Sequence, residues 1–291
     1  IEVTDSYDAD ILGNHVGRVG DDGIYVDNAA FSDIRWNRVH DAGDDGIDVR
    51  DSYRVDIVSN DVEDSGDNGI RVRDSRFADV NGNTVNGAGD DGIDVQDSFA
   101  ADINNNRVSF TGNDGIYVDN SRFVDVNGNR VFFAGEDGID VEDSFGADVN
   151  SNTVSFVRDN GIEVQNSDWA EINGNTVFFA GENGIYLNPS DNVTIAGNDV
   201  SFVREDGIEV NYGRNVTITG NTVRYNGGNG VDVNGYRGTV TVNLNYLENN
   251  RDDGLDVDGV LGDLFVRGNT VSGNGEDGMD IDNVLHAEIT G

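Results

Sequence analysis

Eight acids follow one another at intervals of 23 residues: Asp10, Asp33, Asp56, Asp79, Asp102, Asp125, Asp148 and Glu171. The column then turns to Thr194, Thr217 and Thr241, and Asn never takes the place of the acid within it. Like charges side by side repel, so such a column must gather cations, raise its own pKa values or pair with arginine. Hard cations such as Ca²⁺ take roughly six to eight oxygen ligands from carboxylates, carbonyls and waters. The eight residues are therefore the candidate Ca²⁺ ligands, against the plainer account of a solvated acidic face with diffuse counterions. Neither an EF-hand loop nor a strict Gly-Gly-x-Gly-x-Asp nonapeptide accompanies them.

A second set could do acid–base chemistry. The x position of a recurring Gly-Ile-x-Val begins Tyr25, Asp48, Arg71, Asp94, Tyr117 and Asp140. Asp48, Arg71, Asp94 and Tyr117 contain what a polyuronate lyase or epimerase needs: acids to hold Ca²⁺ against the sugar carboxylate, and Arg or Tyr as base. Arg71 between two acids equally relieves a like-charge column, and Tyr favours strands, so the structural account is preferred. A glycosidase could use two outward carboxylates, but nearly any pair here would qualify. His15, His40 and His286 fall at loop or turn phases and do not converge in sequence, which leaves a histidine metal centre or a Ser-His-Asp triad without support.

The spacing also dictates the scaffold. The motif glycines run from Gly23, Gly46 and Gly69 to Gly230 at intervals of 23, then to Gly254 and Gly278 at intervals of 24. Such a period marks a solenoid, in which one repeat cannot bury its apolar face alone. Within a repeat, Ile93 and Val95, Ala101 and Ile103, then Val108 alternate with polar residues between turns, which is a strand pattern. We expect an all-β chain, 1–291 as one parallel β-helix with three short strands per coil and about 12–13 coils. Strand spacing would give a rise of about 4.8 Å per coil.

Other columns fit turns and seams. Asn14, Asn37, Asn60 and their successors to Asn269 share one phase, as a ladder of stacked side-chain amides would. The residue before each motif glycine, as in Asp22, Asp45, Asn68 and Asp91, exchanges Asp with Asn, which favours backbone bonding in a turn over ion binding. Phe31, Phe77, Phe123 and Trp169 recur every 46 residues, with Tyr7, Tyr53, Phe99 and Phe145 in the alternate repeats. Rings that interleave up a stack favour a packed lateral seam over a sugar platform.

Through repeats such as Asn175-Thr176-Val177 to Gly184-Ile185-Tyr186-Leu187, the chain resembles the right-handed parallel β-helix proteins of the pectate-lyase-like superfamily. The resemblance covers essentially the whole chain. It implies handedness and fold but not function, since that superfamily spans polysaccharide lyases, hydrolases, epimerases, tailspikes and adhesins. Its enzymes often work on the outer face of the Gly-Ile-x-Val strand.

Composition narrows the classes. The 56 acids stand against 18 bases, all arginine, for a net charge of −38, which repels nucleic acid and anionic lipid. Cys is absent, and no apolar run is long enough to span a membrane, so membrane insertion is not expected. Ile1 already lies inside a repeat, so no signal peptide is expected and the chain reads as a mature product or an excised piece. Neither end offers a capping helix, and uncapped strand edges invite head-to-tail association with a second copy. No insertion longer than one residue interrupts the repeats, although clefts on such rods usually need long loops. We therefore expect a secreted or cell-surface, non-enzymatic solenoid serving as a rigid, Ca²⁺-binding structural, adhesion or fibre-forming module. The alternatives are the polyuronate enzyme, or a polysaccharide binder that uses the aromatic seam.

Overall fold

A computed structural model describes all residues, Ile1–Gly291. It contains 38 strands and no helix. Each coil contributes three of them. In one coil these are Ile93–Gln96, Asp102–Asn104 and Arg107–Thr111. Each pairs in parallel with its counterparts one repeat before and after. Ile93 faces Ile70 and Ile116, Asp102 faces Asp79 and Asp125, and Arg107 faces Thr84 and Arg130. Thirteen strands of the first kind, thirteen of the second and twelve of the third amount to about 13 coils.

The chain comprises two compact units, Ile1–Ala147 and Asp148–Gly291. In the first, the inward Ile and Val of the coils that follow the first one, such as Ile93, Val95, Ile103 and Val108, are fully buried. The second repeats this with Ile162, Val164, Ile172 and Val177. Burial of each such side chain is worth about 1.5–3 kcal/mol, and the gain recurs with every coil. Glycine in Gly-Ile-x-Val follows from close approach. A Cβ at Gly92 would collide with Val108 Cγ1 and lie 2.6 Å from the carbonyl oxygen of Gly115.

The asparagine column forms the expected ladder. In the first unit Asn83 Nδ2 donates to Asn106 Oδ1 at 3.0 Å and to the Ile57 carbonyl at 2.7 Å. In the second, Asn175 does the same to Asn198 and to Val149. Each side chain, placed at the turn between the second and third strands, thus ties its coil to the one before and the one after.

The corners are turned by residues in the left-handed region, Asp97 (φ 50°), Asn105 (φ 55°) and Phe110 (φ 57°) in one coil. Asp and Asn tolerate this conformation, but bulky aromatics do so at a cost. Yet Phe31, Phe77 and Phe123 adopt it in the first unit, as do Trp169, Phe179 and Phe202 in the second. Strand periodicity carries no information about a corner φ, so the sequence did not announce this.

Candidate functional site

The predicted Ca²⁺ column stacks in register. In the first unit Asp10, Asp33, Asp56, Asp79, Asp102 and Asp125 stand opposite one another on successive second strands. In the second unit Asp148 stands opposite Glu171, which precedes Thr194. Two of the expected remedies for crowding are visible. Arg35 bridges Asp33 at 2.9 Å and Asp56 at 2.5 Å. Farther along the column, beyond that ion pair, burial raises the carboxyls of Asp79, Asp102 and Asp125 above their ordinary values, at Asp79 against a weaker pull from Arg35. At Asp79 and Asp102 the neighbouring charges of the column add to it. Asp79 Oδ1 is buried without a hydrogen-bond partner. This stretch of carboxylate oxygens, which no arginine pairs, fits a hard cation by donor type.

The alternative catalytic set is also brought together, on consecutive first strands: Asp48 faces Arg71, Arg71 faces Asp94, and Asp94 faces Tyr117. Its functional groups, however, are committed elsewhere. Arg50 pairs with Asp48, Arg71 Nε with Asp94 Oδ2 at 3.2 Å, and the Tyr117 hydroxyl donates to Glu142 Oε2 at 3.2 Å. The outer face is closed here: Arg50, two residues on, pairs with Asp48, and Arg71, one coil before, pairs with Asp94. The Asp48 and Asp94 side chains are 0% and 2% exposed. Burial, and then the Asp91 charge, push Asp94 up to about 7 against the pull of Arg71. Burial and the acids Asp119, Glu142 and Asp140 hold the Tyr117 phenol far above its ordinary value, which makes it a poor base near neutrality.

The acids before the motif glycines do bond turns, as expected. Asp22 Oδ1 accepts the Asp45 N–H at 3.1 Å, and Asp45 Oδ1 accepts the N–H of Asn68 at 2.9 Å and its Nδ2 at 3.1 Å. The carboxylate oxygens of Asp22, Asp45 and Asp48 nevertheless lie within 4.8 Å of one another. Burial, with the Asp48 charge adding, raises Asp45 to about 6, so that about a tenth of it still carries a proton at neutral pH.

The histidines correct the sequence reading. His15 and His40 lie on strands, not in loops, and their Nε2 atoms are 2.9 Å apart. Columns spaced by 23 hide this pair because the two residues are 25 apart and meet on a diagonal. His286 stands apart from them on its own strand, with Nδ1 3.2 Å from Asp263.

The aromatics interleave as expected, but they do not become a buried seam. In the first unit Tyr7, Phe31, Tyr53, Phe77, Phe99, Phe123 and Phe145 form a zigzag with centroids 5.2–5.7 Å apart, mostly edge to face. The inner rings remain about 40–50% exposed, Phe77 41% and Phe123 49% among them. Arginines occupy the gaps. Arg76 and Arg122 alternate with Tyr53, Phe99 and Phe145 along one line, and the Arg54 guanidinium lies 5.7–6.0 Å from the centroids of Phe31, Tyr53 and Phe77. Asp74, Arg76, Phe77, Asp97, Phe99 and Arg122 line an open groove of about 560 Å³ along this corner. The sequence reading followed the rings and missed the arginines, whose spacing of 46 between Arg76 and Arg122 was the available signal. In the second unit Phe179, Phe202 and Tyr225 stack face to face at 5.4–5.6 Å, and Trp169 is 57% exposed.

No curated protein matches the chain. Among solved structures it is similar to the A-module of the Azotobacter vinelandii mannuronan C-5 epimerase AlgE4. That match has a TM-score of 0.61 at 14% identity and covers 100% of this chain and 91% of the other. The periplasmic alginate epimerase AlgG aligns with a TM-score of 0.59 at 13% identity, over 100% of this chain and 76% of the other. The Dettilon tailspike protein aligns with a TM-score of 0.52 at 15% identity, over 98% and 61%. At such identities the likeness is one of fold. The family model described as "Right handed beta helix region" matches residues 1–154 and again 137–290. With parallel strands stacked at every repeat and that model matched from end to end, the chain belongs to the right-handed β-helix family.

Proposed function

We propose that this protein is a non-catalytic, extracellular polysaccharide-binding β-helix whose acidic columns carry Ca²⁺. The carrying observation is the exposed zigzag of rings in the first unit. A left-handed backbone costs about 1–2 kcal/mol at each aromatic corner, and a ring pair contributes about 0.5–1.5 kcal/mol. The two roughly cancel, so the rings add little to stability while leaving half of their surface in water. Sugar rings present apolar C–H faces to aromatics, and their hydroxyls suit the Arg and Asp side chains that line the groove. A neutral glycan would meet no repulsion from the −38 charge, whereas a polyuronate would rely on the arginines and on bound Ca²⁺.

Phe77→Ala should weaken retention on a glycan affinity gel about fivefold to tenfold, as loss of about 1–1.5 kcal/mol of ring contact requires. Arg76→Ala should do the same selectively for polyuronates. Unchanged retention on every polymer that the parent protein binds would reject the reading. A change in self-association instead would assign the corner to contact between copies.

One observation favours an enzyme as the second reading. Asp232 is only partly buried, unlike Asp94, and burial together with the Asp206 and Asp256 charges pushes it up to about 7, a value suited to proton transfer. It stands between Glu209 and Asp256 on the first strands of the second unit. The epimerases of similar fold make alginate the first polymer to try. Unsaturated products or altered uronate composition, abolished by Asp232→Asn, would displace the binding-only proposal.

A further inference from the structure

We infer that His15 and His40 form a binding site for a divalent transition-metal ion of tetragonal preference, Cu²⁺ or Ni²⁺. The two rings meet with centroids 4.9 Å apart and planes at 76°. The Nε2–Nε2 separation of 2.9 Å matches metal bonds of about 2.0–2.1 Å subtending about 90° at the ion. Adjacent ligands of a square-planar or tetragonal ion subtend that angle. A tetrahedral Zn²⁺ would need the nitrogens a few tenths of an ångström further apart.

The surroundings hold one ring ready. His40 Nδ1 lies 3.0 Å from Asp41 Oδ2, an arrangement that fixes the proton on Nδ1 and leaves the lone pair on Nε2. A carboxylate behind a histidine does this at metal centres, orienting the ring and raising its basicity. Gly17 stands opposite His40 on the preceding strand, and a Cβ there would collide with Nε2, Cε1 and Cδ2 of His40. The absent side chain is what lets the ring lean toward His15. His15 is exposed and free to turn. In the metal-free pair its Nε2–H donates to His40. When the ion binds, that proton passes through water to His15 Nδ1, so that the neutral ring offers its Nε2 lone pair to the metal. Glu63 stands opposite His40 on the following strand, but its carboxylate is held by Arg38 Nη2 at 2.8 Å. Water completes the coordination. The acidity of the whole chain concentrates divalent cations around the site without choosing among them. The imidazoles make the choice, in the order Cu²⁺ over Ni²⁺ and Zn²⁺.

The experiment is titration of the intact protein with Cu²⁺ alone, in excess Mg²⁺ to occupy the carboxylates, followed by calorimetry and electron paramagnetic resonance. One site per chain is expected, with hyperfine structure from two nitrogens. His15→Ala should reduce its affinity at least about tenfold, and Asp41→Asn about tenfold with both imidazoles intact. His286→Ala should leave it unchanged. Absence of a Cu²⁺ site, a site without nitrogen hyperfine, or one indifferent to His15→Ala would overturn the proposal.

Discussion

Asn106→Ala is expected to destabilise the protein by about 3–6 kcal/mol, measured by urea denaturation. The side chain is 1% exposed and fully engaged. Its Nδ2 donates to the Val80 carbonyl at 2.8 Å and to Asn129 Oδ1 at 3.0 Å. Its Oδ1 accepts the backbone N–H of Asn83 at 2.9 Å and Asn83 Nδ2 at 3.0 Å. Truncation to Ala leaves the Asn83 N–H, and part of the hydrogen-bonding capacity of Val80 and Asn129, in a dry interior. Each orphaned group costs about 1–3 kcal/mol. No side chain on another strand can move in, because every neighbour in the ladder is already bonded along the same line. Asn105→Gly, one residue away, is the control. Asn105 is exposed at a left-handed corner with φ 55°, and its Nδ2 is 3.5 Å from its nearest partner, Asn81 Oδ1. Glycine suits that corner, so the change should stay within about 0.5 kcal/mol. Each coil touches chiefly its neighbours, so Asn106→Ala should also lower the cooperativity of unfolding and reduce the denaturant slope. A loss below about 1 kcal/mol would mean that the amide ladder does not hold the coils together.

The same ladder shows why so much was readable from the chain and where reading stopped. A residue repeated at 23 lies opposite its copies, so Asn83 on Asn106 and Asp79 on Asp102 follow from counting alone. Diagonal contacts do not. His15 reaches His40, Arg38 reaches Glu63 and Tyr117 reaches Glu142, each across 25 residues, one coil up and two positions along. Reading by columns placed these partners in separate columns. The covering of Asp48 had a local signal, since Arg50 is two residues on and therefore on the same face of the strand. The corner aromatics left no such trace, because a left-handed φ is a property of the backbone path that the alternation of apolar residues does not encode.

Acidification from pH 8 to pH 5 is expected to raise the melting temperature of the metal-free protein, the reverse of ordinary acid denaturation. Asp45, Asp91 and Asp206 are pushed up to about 6, and Asp94 and Asp232 to about 7, from an ordinary value of 3.8. Burial is the largest cause in every case. A carboxyl raised in the folded state binds its proton more tightly there than in the unfolded chain. Its contribution is therefore fully present below pH 3.8 and disappears as pH rises through 6–7. Between pH 5 and pH 8 Asp94 alone, releasing its proton near pH 7, accounts for about 2–3 kcal/mol of this. At about 2–4 °C per kcal/mol, the midpoint should be about 10 °C higher at pH 5 than at pH 8. Bound Ca²⁺ compensates a buried carboxylate as a proton does. Millimolar Ca²⁺ at pH 8 should therefore recover most of the difference, and a chelator should restore it. Recovery by NaCl at equal ionic strength would instead identify the acidic columns as a solvated face with diffuse counterions. A midpoint that falls steadily from pH 8 to pH 5 would show that the buried acids are ionised and paired, and would remove the electrostatic case for cations in these columns.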